Sequence, residues 1–210
     1  MSEDTITFFH AAPSRGAIVR WMLEEVGAPY RVELLDLTRN GQKSPSYLAL
    51  NPMGKVPAIV HRGVVVTEAV AICCYLADAF PAAGLAPAIG EPLRGPYLRW
   101  SIFEASALEP AIIDRMLQRP PGRPGALGYG DFDTTMNVVA QAVAPGPYLL
   151  GERFSAADVL IGSALRWGTM VGVVPERAEF GAYLGRLAER PALQRAMAQD
   201  QELMARSGGA

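Results

Sequence analysis

Asn51-Pro52-Met53-Gly54-Lys55-Val56-Pro57-Ala58-Ile59 is the stretch on which the fold turns. A proline opening a β-prone run removes one ladder donor, so that residue must sit at an edge or in a turn. If the Val56-Pro57 peptide is cis, the chain reverses there and the Val56 amide and carbonyl face outward. Those two groups can then pair with the backbone of an extended peptide, as in strand addition to a sheet. Cis bonds are only about 5–6% of X-Pro peptides, and a trans proline in an ordinary turn is the competing reading.

Working downstream, Pro57 to His61 and Val64 to Thr67 flank Arg62-Gly63, a plausible hairpin turn. A helix follows with Ala69, Ile72, Cys73, Leu76 and Phe80 on one face, and Pro81 stops it. Upstream, Thr5 to Phe9 is β-prone. Ser14 to Val26 reads as a helix, with Ile18, Trp21, Met22 and Val26 at one-face spacing and Gly27 as C-cap. Arg31 to Leu35 alternates as a second strand, and Ser44-Pro45 supplies an N-cap and first-turn proline for a short helix over Tyr47 to Leu50. The order β-α-β-α-β-β-α, a parallel pair joined by a helix and then a hairpin, predicts a thioredoxin-like α/β domain over residues 1–80.

Residues 81–92, with Pro81, Gly84, Pro87, Gly90 and Pro92, suit a linker. Strand signals then cease, and helical stretches over about 93–118, 131–143, 156–171, 176–189 and 192–206 predict an all-α second domain over 93–210. Arg119 to Gly130, rich in proline and glycine, is a loop, and Pro110 bends the helix it sits in. Phe154-Ser155-Ala156-Ala157-Asp158-Val159 reads as a capping box, with Phe154 stapling onto Val159.

Composition excludes several function classes. The 210 residues are 50% hydrophobic, with formal net charge −2 and pI near 5.7. The 19 basic residues are scattered, so no phosphate-tracking patch for nucleic acid is expected. No apolar run approaches the roughly 20 residues that span a bilayer, and the acidic opening Met1-Ser2-Glu3-Asp4 is unlike a signal peptide. The adjacent Cys73 and Cys74 form no C-x-x-C dithiol and read as packing residues, which suits a reducing, cytoplasmic setting. With His10 and His61 as the histidines, no metal site is expected.

The segment N-P-M-G-K-V-P-A-I, followed nine residues later by Glu68 at a strand-to-helix junction, resembles the glutathione site of the glutathione transferase superfamily. Trp21-Met22-Leu23-Glu24-Glu25-Val26-Gly27-Ala28-Pro29-Tyr30 resembles that family's first-helix exit, and the Phe154 to Asp158 box resembles the start of a core helix in its C-terminal domain. The three occur in family order and cover both halves of the chain.

The resemblance implies glutathione as co-substrate. Val56, ahead of Pro57, would pair with the cysteinyl part, Glu68 with the γ-glutamyl ammonium, and the amide of Ala69 with the γ-glutamyl carboxylate. Position 69 is usually a serine or threonine in the family, so a hydroxyl contact is missing here. Lys43 and Lys55 would face the glycine carboxylate, with a solvated surface role as the alternative for each. Catalysis needs the thiolate, because a thiol near its ordinary pKa of about 8.5 is mostly protonated at neutral pH. The family places a Tyr, Ser or Cys in the loop here occupied by His10-Ala11-Ala12-Pro13-Ser14-Arg15. Counting from the strand lands on Ser14, and counting back from the helix lands on Arg15. Ser14 as a helix cap is the plainer alternative, and both roles can coexist.

The acceptor pocket is expected against the first long helix of the second half, where Ile102, Ser106, Glu109, Ile113 and Met116 share a face; Ser106 and Glu109 are its polar members. Trp100, Phe103 and Trp167 read as core or interface. The resulting expectation is a cytoplasmic, homodimeric, detoxifying transferase that joins the glutathione thiolate to a small hydrophobic electrophile, with no nucleic-acid or membrane partner. Glutathione-dependent peroxide reduction, isomerisation or dehalogenation uses the same thiolate. A non-catalytic glutathione-binding or assembly protein uses the same fold.

Overall fold

The computed structural model describes residues 4–207; Met1, Ser2 and Glu3 of the acidic opening lie outside the described residues. Two compact units are present, one running up to Ala83 and resuming from Pro191, the other spanning Gly84–Arg190.

The first unit contains a four-stranded mixed sheet built of β1 (Ile6–His10), β2 (Tyr30–Leu34), β3 (Ala58–His61) and β4 (Val64–Thr67), in spatial order β2-β1-β3-β4. β1 and β2 are parallel, joined through helix α1 (Gly16–Val26), whereas β3 runs antiparallel to both β1 and β4. This is the thioredoxin-like arrangement that the pattern predicts. Ile6 and Phe8 of β1 and Ile59 of β3 are fully buried, and Val19, Met22 and Leu23 of α1 and Ile72 and Leu76 of α3 (Ala69–Ala79) complete the core. Gly27 ends α1 in the left-handed conformation at φ 66°, where a residue without Cβ is at ease. Ser44 caps the short α2 (Pro45–Leu48) by accepting the Tyr47 amide at 3.3 Å, with Pro45 in the first turn. The Arg62-Gly63 turn has φ of 50° and 75°, the two positive values of a turn whose twist matches its strands.

The last helix, α9 (Pro191–Ser207), also belongs to this unit, although the sequence pattern groups it with the helical half. Ala192, Leu193 and Ala196 are buried, and Arg195 ion-pairs with Glu24 of α1 at 2.7 Å. The periodic apolar stripe of 192–206 says that a face is buried but not against what.

The second unit packs α4 (Arg94–Phe103), α5 (Glu109–Met116), α6 (Phe132–Val143), α7 (Ala156–Met170) and α8 (Ala178–Ala188) around Tyr97, Leu108, Ile112, Met136, Val139, Leu160, Ile161, Leu165 and Tyr183. Between α4 and α5 the helix widens into a π segment, Glu104–Leu108. Pro110 has no amide to offer the carbonyl of Ser106 four residues back, and one wide turn absorbs the missing bond. The linker residues are strapped onto this unit: the Leu85 carbonyl accepts the Ala156 amide at 2.9 Å, and the Ala86 carbonyl accepts Arg153 Nη2 at 2.6 Å.

The capping box at Ser155 and Asp158 forms as predicted. Phe154 has its ring edge-on to Tyr148, and the Arg190 guanidinium lies 3.4 Å from its centroid. Residues 119–130 form a loop with one short 3₁₀ turn, Pro124–Ala126. No helix among the described residues is long and apolar enough to cross a membrane.

Candidate functional site

Strand register gathers most of the predicted residues at one end of the sheet. Phe9 pairs with Ala58 and Ala58 pairs with Thr67. The exit of β1 (the Ala11 to Arg15 loop), the entry to β3 (Val56-Pro57) and the exit of β4 (Glu68-Ala69) therefore lie side by side. Ser14, Arg15, Val56, Pro57, Glu68 and Ala69 share this rim. Ser106 and Glu109 belong to the other unit, on the side of its bent first helix that the unit's core leaves uncovered. Ile102, Ser106 and Met116 there are exposed, and Glu109 and Ile113 are half-buried.

The Val56-Pro57 peptide is cis. Pro57 is buried at the head of β3, an inner strand rather than an edge. Among the described residues, the Val56 amide and carbonyl have no hydrogen-bond partner. The segment leading to it is pinned from below. The Lys55 carbonyl accepts Tyr47 Oη at 2.5 Å and Asn51 Nδ2 at 2.9 Å. Asn51 Oδ1 accepts the Met53 amide at 3.1 Å, and the Asn51 carbonyl accepts the Gly54 amide at 2.8 Å. Burial pushes the Tyr47 phenol above its ordinary range, which favours the protonated, donating form. Lys43 Nζ donates to the Met53 carbonyl at 3.0 Å and covers Gly54 so closely that a Cβ there would come within 2.6 Å of it. Gly54 stands at φ 58°, a second reason for glycine. Lys43 and Lys55 are both exposed.

Glu68 caps α3 from an unusual backbone, φ 66° and ψ 122°. A non-glycine residue there costs about 1–3 kcal/mol, and such residues cluster where ligands are held. The conformation turns the chain out of β4 so that an eleven-residue helix starts with Ala69 and aims its unpaired first-turn amides at the rim. Glu68 itself is exposed.

In the β1–α1 loop, Ser14 Oγ donates to the Ala11 carbonyl at 2.5 Å and accepts the Gly16 amide at 2.9 Å. Its hydroxyl thus serves the start of α1. A rotation about the Cβ–Oγ bond redirects the proton while Oγ stays in place and keeps the Gly16 amide, so capping and donation to a ligand are compatible. Arg15 is the exposed residue flanking the helix start.

Two groups of supporting residues escape the motif reading. Tyr47 and Asn51 hold the Val56 segment. Asn51 carried a visible signal at the head of the motif; Tyr47 carried only an apolar helix position. His10, adjoining the Ser14 loop, is buried and bonded to a residue 190 positions away, a pairing without local signature.

The rim offers a backbone amide and carbonyl without partners among the described residues, a helix N-terminus, a carboxylate, a cation and a hydroxyl. Residues 4–78 match the family model described as glutathione S-transferase, N-terminal domain. Glutathione S-transferase GstA of Escherichia coli O157:H7 is 28% identical over 181 residues, which covers 85% of this chain and 90% of that protein. A sphingomonad glutathione S-transferase complexed with glutathione superposes with a TM-score of 0.75 at 29% identity, over 93% of this chain and 98% of that one. BphK, a bacterial glutathione transferase solved as a ternary complex, gives a TM-score of 0.77 at 27% identity, over 93% and 99%. Residues 4–78 therefore match the glutathione S-transferase N-terminal domain family, and over most of its length the chain is similar to glutathione S-transferases, which are transferase enzymes.

Proposed function

We propose that the protein conjugates the glutathione thiolate to a small hydrophobic electrophile. The observation that carries this reading is the Val56 backbone, unpartnered at the sheet rim beside Glu68 and the start of α3. In it, the Val56 amide and carbonyl pair with the cysteinyl residue of glutathione. Glu68 takes the γ-glutamyl ammonium, the Ala69 amide takes the γ-glutamyl carboxylate, and Lys43 and Lys55 face the glycine carboxylate. Backbone groups carry most of this binding, so the absent hydroxyl at Ala69 weakens it without removing it.

The cysteinyl thiol then falls next to the β1–α1 loop. Its proton leaves to solvent, and the Ser14 hydroxyl, turned from the Ala11 carbonyl, donates to the anion; Arg15 adds positive potential. A charge-assisted hydrogen bond contributes about 1.5–3 kcal/mol, roughly one to two units of thiol pKa. The thiolate attacks an electrophilic carbon, a C–S bond forms, and the leaving group departs with the electron pair of the bond it gives up. Ser106 and Glu109 are the polar groups we assign to the electrophile pocket. A cytoplasmic homodimer acting in detoxification completes the proposal.

The test is calorimetric titration with glutathione, followed by turnover against a panel of activated aryl halides, epoxides, enones and peroxides. We expect one glutathione per chain and conjugation of at least one carbon electrophile. Binding with peroxide reduction alone would reassign the chemistry. Binding without turnover would favour a non-catalytic glutathione-binding protein. Absence of binding would overturn the reading.

A further inference from the structure

The Ser14 hydroxyl can stabilise a thiolate only if its loop is held still, and the loop is anchored by a buried cluster that none of the roles above uses. His10, the last residue of β1, is fully buried, as is Arg20 in α1 at 3% exposure; the two stand on either side of the loop. Asp200, at 9% exposure on α9, reaches both with one oxygen. Its Oδ1 lies 2.9 Å from His10 Nε2 and 2.6 Å from Arg20 Nε. Gln199, the preceding residue, accepts Arg20 Nη1 at 2.7 Å.

A carboxylate only accepts, so the His10 proton that meets Asp200 sits on Nε2. The opposite nitrogen, Nδ1, is buried without a hydrogen-bond partner and faces the first turn of α1. A Cβ on Gly16 would overlap Nδ1, approach Cε1 to 2.8 Å and lie 3.0 Å from Ser14 Oγ. The imidazole thus occupies the room that a side chain at position 16 would need. It sets the height of the Gly16 amide, and that amide holds Ser14 Oγ. Phe8 stacks on the other side of the ring at 4.9 Å, so the imidazole has one place to be.

We propose that Asp200 is a positioning residue for the Ser14 hydroxyl, acting through His10 and Gly16 on one side of the loop and through Arg20 on the other. The inference rests on the thiolate-stabilising role of Ser14. Burying three ionisable groups is no efficient way to gain stability, since desolvation offsets much of the attraction and an apolar cluster of equal volume does as well. What the cluster does uniquely is define direction: one oxygen atom ties the end of β1 to α1 across the five-residue loop Ala11 to Arg15. Displacement of a catalytic group by about 1 Å can cost on the order of 100-fold in rate.

The experiment uses the full-length protein with Asp200→Asn and, as a second variant, His10→Gln. Glutathione-binding sites are counted by calorimetry, kcat and the KM for glutathione are measured with an activated chloronitroarene, and the pH midpoint of the bound thiolate is read from its ultraviolet absorbance. All rates are expressed per binding site, so that loss of folded protein does not register. In each variant we expect kcat to fall about tenfold or more, the thiolate midpoint to rise by about one unit, and the KM for glutathione to stay within about twofold, because Val56 and Glu68 lie outside the clamp. Wild-type kcat and midpoint per site in either folded variant would overturn the proposal. So would loss of all binding sites from both variants, which would make the cluster purely structural. A wild-type protein that binds glutathione but never shows a thiolate would instead overturn the role of Ser14 on which the inference rests.

Discussion

Replacing Ser14 with alanine is expected to lower kcat/KM with a carbon electrophile by about 100-fold, the scale seen when one preorganised donor is removed from a developing or resting anion. The midpoint of the bound thiolate should rise by about one to two units, since the hydroxyl favours the charged form only. Glutathione affinity at low pH, where the thiol is protonated, should barely change. This pattern separates the two roles that the loop geometry combines. The hydroxyl now bridges the Ala11 carbonyl and the Gly16 amide, so a purely capping Ser14 predicts a stability loss of about 1 kcal/mol and no shift of the thiolate. Unchanged kcat/KM and midpoint in a folded Ser14→Ala protein would remove Ser14 from the mechanism and turn attention to Arg15.

The largest effect on stability is expected in the other unit, from Asp158→Ala. Asp158 is fully buried at the first turn of α7 and gathers donors from three parts of the chain. Oδ1 accepts the Leu149 amide and the Tyr183 hydroxyl, both at 2.9 Å, while Oδ2 accepts the Ser155 amide at 2.9 Å and the Ser155 hydroxyl at 3.0 Å. Truncation leaves those donors buried and unmet at about 1–3 kcal/mol for each, so a total loss on the order of 4 kcal/mol follows. That is a large part of the about 5–15 kcal/mol by which a domain is stable. For a chain of this size the thermal midpoint should drop by roughly 10 °C, readable by circular dichroism. A drop below about 2 °C would mean that water replaces the carboxylate.

Burial raises the Asp158 pKa above 3.8, with the four donors opposing the rise. The sign of the linkage follows: below the unfolded value both states are protonated, and as pH rises through the window up to the folded value the unfolded state ionises first. Stability from this group therefore declines across that window and is level above it, and Asp158→Asn should abolish the decline.

Both units were legible in the sequence where local rules dominate. The Arg62-Gly63 turn, the Ser44-Pro45 start of α2, Gly27 at the end of α1 and the Ser155–Asp158 box each follow from chemistry contained within a few residues. The rim was legible through one short motif, because a proline at a strand entry and a carboxylate at a helix start keep their spacing along the chain. Strand limits moved by one residue, with β2 at Tyr30–Leu34 rather than Arg31 to Leu35.

What stayed hidden is of another kind. The destination of α9, the His10–Asp200 pair and the pinning of Lys55 by Tyr47 are tertiary choices, and periodicity records only that a face is apolar. The positive φ of Glu68 leaves no trace in a residue type that ordinarily avoids it. The widened turn ahead of Pro110 was foreshadowed as a bend, but its form depends on packing on both sides of the helix. The orientation of the Ser14 hydroxyl depends on acceptors that only the folded loop supplies.

That Val56, not a side chain, is the principal grip on the ligand can be tested by a crystal structure of the protein with glutathione. We expect the Val56 amide and carbonyl both within about 3 Å of the cysteinyl backbone, with Glu68 on the γ-glutamyl ammonium. Glutathione ordered elsewhere on the molecule, with the Val56 groups still unpaired, would contradict that expectation.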